Sequence, residues 1–173
     1  MNASILYIVI PCYNESEVLR TTAQKLKEKM TALFEQEKIS SESKIMFVND
    51  GSKDDTWQII KDLHKEDNIF TGISLSRNRG HQNALLAGLM TAKDYADAVI
   101  SMDADMQDDI DAIDRFIEAF YNGNDIVYGV RSSRQTDTFF KRNTALTFYR
   151  LRNWLGADTV YNHADNRMMS KRE

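Results

Sequence analysis

The chain has 173 residues, 42% of them hydrophobic, enough to bury a core for one domain. A net charge of −4 excludes the global basic field of a nucleic-acid-binding protein. The single cysteine, Cys12, excludes an internal disulfide. No apolar run approaches the roughly 18 residues of a spanning helix, and the N-terminus lacks the basic region of a signal peptide. The chain therefore reads as one soluble domain, and no repeat or low-complexity segment interrupts it.

In chain order, Ile5–Ile10 reads as a strand ended by Pro11, by its apolar and β-branched content. Asn14-Glu15-Ser16-Glu17 can cap a long helix that places Leu19, Ala23, Leu26, Met30 and Leu33 on one face. Lys44–Val48 is a second strand, stopping at Asn49-Asp50-Gly51-Ser52, after which Asp54-Asp55 opens a helix through Trp57, Ile60 and Leu63. Ile69–Leu75 is a third strand, followed by Ser76-Arg77-Asn78-Arg79-Gly80 and a helix carrying Ala84, Leu85, Ala87, Gly88 and Leu89. Ala98–Met102 is a fourth strand and Ile110–Phe120 a helix with Ile113, Phe116 and Ile117 inward. Asp125–Val130 is a fifth strand, and Phe139–Leu155 a further helix. This alternation predicts an α/β fold: a mostly parallel sheet with helices on both faces. Such sheets bind ligands beyond the carboxyl ends of their strands. Polar clusters fall at those ends: Pro11–Glu15, Asn49–Ser52, Ser76–Gly80, Asp103–Asp109 and Arg131–Arg134.

The fourth strand runs directly into Asp103-Ala104-Asp105, Gln107, Asp108 and Asp109. Crowded carboxylates repel one another, so a chain keeps them solvated or gathers them around a cation. Their hard oxygens suit Mg²⁺ or Mn²⁺, which complete their shells from water and phosphate. The alternative is an acidic loop that only caps the helix beginning near Ile110. No G-x-G-x-x-G follows the first strand and no G-x-x-x-x-G-K-[ST] occurs, so dinucleotide and P-loop sites are unsupported. Asp50 and Glu15 can accept hydrogen bonds from a base or ribose, and Tyr13 can stack on a base. Together these residues describe a metal-dependent nucleotide-diphosphate site without a glycine cradle.

Four motifs, Ile8–Glu15, Val48–Ser52, Leu75–Gln82 and Met102–Asp108, occur in order and resemble glycosyltransferase family two. The likeness is to its polyprenyl-phosphate branch, the bactoprenol glucosyltransferases and dolichol-phosphate mannosyltransferases. Val127–Arg131, Lys141-Arg142 and Phe148–Leu151 continue it over nearly the whole chain. The resemblance implies a GT-A fold and inverting transfer of a hexose from a nucleotide sugar to a polyprenyl phosphate. It implies that Pro11, Tyr13, Asn14, Glu15, Asp50 and Arg77 line the nucleotide pocket. Asp103 and Asp105 would be catalytic and, with Gln107, would hold Mg²⁺ or Mn²⁺ at the diphosphate. Arg131, Lys141 and Arg142 would face the acceptor phosphate, since guanidinium groups bind phosphate oxygens bidentately.

A phosphate monoester, with a second pKa of about 6, is largely ionised at neutral pH and needs little help from a general base. UDP-glucose and undecaprenyl phosphate are the expected substrates, with GDP-mannose as the alternative donor. The third reading is a non-catalytic remnant that only binds nucleotide sugar. A sugar nucleotidyltransferase is disfavoured by the missing glycine-rich loop. The basic and aromatic stretch Phe139–Trp154 also suits a helix lying on a membrane surface. Relatives of this kind usually continue into hydrophobic anchoring helices. The expectation is a single domain over residues 1–173, truncated before such elements, from a parent working at the cytoplasmic membrane face. Asn166 stands where the family's D-[FY]-R-L-[MF] segment usually has an aromatic.

Overall fold

A computed structural model describes residues 3–105, 110–130 and 163–171. Its strands are β1 (Leu6–Cys12), β2 (Lys44–Asn49), β3 (Phe70–Ser74), β4 (Ala98–Ser101), β5 (Ile126–Val130) and β6 (His163–Ser170). The helices are α1 (Leu19–Glu35), α2 (Thr56–Glu66), α3 (His81–Ala92) and α4 (Ala112–Tyr121). β1 is buried at every position and lies inside a sheet of order β3-β2-β1-β4-β6-β5. Its unbroken apolar run suits a strand covered on both faces. β2 and β4 flank it in parallel, β3 extends the sheet beyond β2, and among the described strands β6 alone runs opposite to the others, antiparallel to β4 and β5.

Alternate side chains divide the core in two. Ile8, Ile10, Ile45, Phe47, Ile100 and Met168 meet the apolar stripes of α1, α2 and α4. Tyr7, Val9, Met46, Val48 and Val99 meet α3 on the other face. The two-sided α/β architecture is as the sequence predicts, and the helix faces expected for α1 and α4 are buried. α3 can approach the sheet closely because Gly88 lacks a Cβ. One built there would lie 2.4 Å from the Val9 side chain.

Two local expectations are corrected. Pro11 does not end the first strand but sits within β1, paired with Val48. The N–H and C=O of one residue share a side of an extended strand, and the Val9 carbonyl accepts from Met102 on the β4 side. Pro11, two residues on, therefore directs its nitrogen to that same side, past the last paired residue of β4, where no ladder bond is lost. The first helix, secondly, has no side-chain cap. The Glu15 carbonyl instead receives the Val18 and Leu19 amides, leaving the side chains of the preceding loop for other partners. The segment around Asp165–Ser170 adds β6 between β4 and β5, antiparallel to both, in a sheet that is otherwise parallel. Met168 is fully buried there, and Ser170 Oγ donates to Asp125 at 2.7 Å. Asn166 is also buried, with its side-chain oxygen lacking a partner, so this position carries a polar burial cost in place of an aromatic contact. The predicted helix Phe139–Leu155 lies outside the described residues.

Candidate active site at the carboxyl edge

Three loops at the carboxyl edge are tied together mainly through backbone amides. Asn14, at φ 56°, accepts the Lys53 amide on its side-chain oxygen at 2.9 Å and donates its own amide to Ser52 Oγ at 3.0 Å. The Glu15 amide donates to Thr56 Oγ1 at 2.9 Å. Asp54 accepts from the Ser16 amide at 3.1 Å and from the Thr56 hydroxyl at 2.6 Å. Burial alone would raise the Asp54 carboxyl, but the bonds from Thr56 and Ser16 hold it down, to about 2. A depressed carboxylate contributes stability that is complete above its unfolded value of about 3.9 and is lost as pH falls toward the folded value. The difference in denaturant midpoint between the wild-type chain and Asp54→Asn is thus expected to narrow as pH is lowered from about 5 to about 3. A difference independent of pH would show that Asp54 does not clasp the loops as a charge.

Asp50 organises the next connection. It is 2% exposed, and its two oxygens accept the Arg79 and Gly80 amides at 2.7 and 2.9 Å. Its own amide donates to the Cys12 carbonyl at 2.9 Å, which continues the β1–β2 ladder past the strand ends. Gly51 follows at φ 65°, packed directly on the Arg77–Asn78 backbone. These contacts deliver the chain to Gly80, the N-cap of α3, so that His81 begins the helix beside the β4 loop. In that loop Thr22 Oγ1, from α1, donates to the Ala104 carbonyl at 2.7 Å. Ala104 is drawn into the core at 4% exposure, leaving Asp103 and Asp105 on either side of it.

The result is a cleft of about 410 Å³ lined by Pro11, Glu15, His81, Gln82, Asp103, Ala104 and Asp105. A second cavity of about 200 Å³ shares Pro11, Glu15 and His81 with it and adds Cys12, Tyr13, Asp50, Asn78, Gly80 and Ala84. His81 Nε2 stands 3.7 Å from Asp103 Oδ1, beyond hydrogen-bond length. The Glu15 carboxyl is pushed above the usual glutamate range, first by burial and then by the charges of Asp105, Asp54 and Asp103. Negative charge therefore converges on this cleft. Cys12 is buried, its Sγ donates to the Ile10 carbonyl at 3.4 Å, and burial raises its thiol pKa strongly, which leaves it a packed residue and no nucleophile.

Of the residues the sequence nominates, Pro11, Glu15, Asp103 and Asp105 line the larger cleft, and Tyr13 and Asp50 the adjoining cavity. Asn14 and Arg77 line neither; the Asn14 side-chain oxygen is engaged by Lys53, and Arg77 is exposed beside Gly51. Gln107, Arg131, Lys141 and Arg142 lie outside the described residues. His81 and Gln82 line the larger cleft, and sequence reasoning assigned them no chemistry. The available signal was their position, opening a helix that starts directly after a polar loop at the carboxyl edge.

No trio of His, Cys, Asp and Glu side chains among the described residues is already gathered as a coordination sphere. The donor set still fits a hard divalent cation. Asp103 and Asp105 supply carboxylate oxygens, excess negative charge is present, and such ions leave several positions for water and phosphate.

The sheet order and the acidic cleft beyond its carboxyl edge define a protein of the GT-A class. The chain belongs to glycosyl transferase family 2, whose sequence model matches residues 7–172. It is 54% identical over 168 residues to YkoT of Bacillus subtilis, an uncharacterized glycosyltransferase, covering 97% of this chain and 50% of that protein. The bactoprenol glucosyl transferase of Shigella phage SfX is 40% identical over 165 residues, covering 95% of this chain and 52% of that one. The chain thus spans about half the length of the curated relatives it matches. Among solved structures, glucosyl-3-phosphoglycerate synthase from Mycobacterium tuberculosis, in complex with Mn²⁺, UDP and glucosyl-3-phosphoglycerate, superposes with a TM-score of 0.62. It is 16% identical and covers 98% of this chain and 57% of that chain, a likeness of fold.

Proposed function

We propose that this chain carries the donor-binding half of a hexosyltransferase that moves glucose from UDP-glucose to a polyprenyl phosphate such as undecaprenyl phosphate. The observation that carries the reading is the pair of joined cavities: one with Tyr13 and Asp50 for a nucleoside, the other with Asp103 and Asp105 for a cation and diphosphate. The fold neighbour crystallised with Mn²⁺ and UDP supports the donor chemistry, and the bactoprenol glucosyl transferases support the sugar and acceptor.

In this reading Asp103 and Asp105, with Gln107, hold Mg²⁺ or Mn²⁺, which when bound neutralises charge developing on the departing nucleoside diphosphate. Tyr13 stacks on the base and Pro11 walls the nucleoside cavity. Glu15 accepts from donor hydroxyls at the junction of the cavities. The acceptor phosphate, ionised at neutral pH, attacks the anomeric carbon opposite the leaving group and inverts it, through an oxocarbenium-like transition state. Arg131, Lys141 and Arg142 are the cations proposed to receive that phosphate. A polyprenyl acceptor requires work at a membrane surface, and the nucleotide-sugar donor assigns it to the cytoplasmic face. Among the described residues no helix is long and apolar enough to cross a membrane.

The test is calorimetric titration of UDP-glucose and GDP-mannose with and without Mn²⁺, followed by assay of labelled sugar transfer into polyprenyl phosphate. Mn²⁺-dependent binding of UDP-glucose with transfer is the expected outcome. Preference for GDP-mannose would move the reading to a mannosyltransferase. Donor binding without transfer would leave these residues a nucleotide-sugar-binding unit. Failure of the folded chain to bind either donor would overturn the site.

A further inference from the structure

Resting on the donor-site reading above, we propose that His81 is the protein's own hydrogen-bond donor to the donor diphosphate, set in place by the Asp50 clamp on the preceding loop. The larger cleft presents the carboxylates of Glu15, Asp103 and Asp105, and among its described lining residues only His81 and Gln82 carry side-chain N–H donors. A diphosphate can share a cation with the aspartates on one side only. Its remaining anionic oxygens, desolvated on entry, need N–H groups from elsewhere. His81 also lines the nucleoside cavity, whereas Gln82 does not. It therefore stands where the two cavities join, which is where a diphosphate linking nucleoside to sugar has to pass.

The geometry leaves the ring available for this role. Nε2 is 3.7 Å from Asp103 Oδ1, too far for a hydrogen bond, and the side chain is 46% exposed. An imidazole offers an N–H in its neutral and protonated forms alike, so the contact does not depend on its charge. The ring's placement is inherited from the loop before it. Asp50, 2% exposed, holds the Arg79 and Gly80 amides, and Gly80 takes φ 87° to turn the chain into α3. His81 follows with its backbone already oriented. Asp50 thus acts as a positioning residue in addition to lining the cavity.

The experiment compares uridine, UMP and UDP, titrated with Mn²⁺ into the wild-type chain, His81→Ala and His81→Gln. Mn²⁺ alone is titrated as a fourth ligand, and circular dichroism checks each fold. A contact to the diphosphate predicts that His81→Ala weakens UDP about 10-fold, as expected for one charge-assisted hydrogen bond. Uridine and Mn²⁺ alone should each stay within about twofold, and the UMP response tells whether the bond is made to the proximal or the distal phosphate. His81→Gln, which restores an N–H near the Nε2 position, should recover most of the UDP affinity. Equal losses for uridine and UDP, or an unchanged UDP affinity, would overturn the assignment while leaving the donor site standing. Absence of UDP binding by the wild-type chain would overturn the donor-site reading itself, and this assignment with it.

Discussion

Asp105→Ala is expected to lower Mn²⁺-dependent UDP affinity at least about 100-fold and sugar transfer by roughly 1,000-fold, while the protein stays folded. The asymmetry follows from where Asp105 sits. It is exposed at the mouth of the cleft, on the outer side of the buried Ala104, so truncation empties no core. What it removes is one of two carboxylates proposed to hold the cation against the diphosphate. Charge stabilisation of that kind in a partly desolvated cleft is commonly worth about 3–4 kcal/mol. A second readout needs no ligand. After burial, Asp105 is the largest influence raising the Glu15 pKa, so its removal should lower that pKa toward the ordinary glutamate value. An NMR titration of Glu15 in the two proteins measures this directly. A fall in Glu15 pKa with intact UDP binding would place Asp105 in the cleft but deny it the metal.

The largest effect on folding is expected at Gly51. A Cβ on its backbone would lie 2.5 Å from the Arg77 carbonyl carbon and 2.6 Å from Arg77 Cα and the Asn78 nitrogen. All three are main-chain atoms and cannot rotate away, and the φ of 65° adds its own strain to any L residue. Gly51→Ala should therefore cost about 3 kcal/mol and lower Tm by roughly 10 °C in a domain of this size. Because the displaced segment is the one Asp50 clamps, UDP binding should weaken in the same variant at temperatures where it remains folded. Gly123→Ala is the internal control. Gly123 ends α4 in a left-handed cap, its amide donating to the Phe120 carbonyl and the Asn124 amide to the Ala119 carbonyl, and nothing lies within 4 Å of a built Cβ, so only the conformational penalty of about 1 kcal/mol applies. Equal melting temperatures for the two variants would show that the Gly51–Arg77 contact is not tight in solution.

The elements legible in the sequence were those with a local cause. Short apolar runs rich in β-branched residues marked β1 and β4, and the helix stripes at Leu19–Leu33 and Ile113–Ile117 marked the faces that meet the sheet. Polar segments following those strands marked the carboxyl edge, and Pro11, Glu15, Asp103 and Asp105 do converge there. Pro11 misled because a proline usually breaks a ladder, and only the short reach of β4 shows that no bond was due at that position. Asn14 and Asp50 were nominated as donor contacts mainly through the family resemblance. Their oxygens are engaged by the amides of Lys53, Arg79 and Gly80, partners up to 39 residues away that no local pattern announces.

The sequence by itself determined the α/β class, the edge on which ligands gather and the acidic character of the cleft. Each depends on side-chain periodicity or on charges adjacent in the chain. The tertiary structure decided the antiparallel entry of β6 between β4 and β5, the clasp of three loops through backbone amides, and the arrival of His81 opposite Asp103. These depend on hydrogen bonds and packing between residues distant in sequence. Their energies exist only once the sheet has brought the strand ends together.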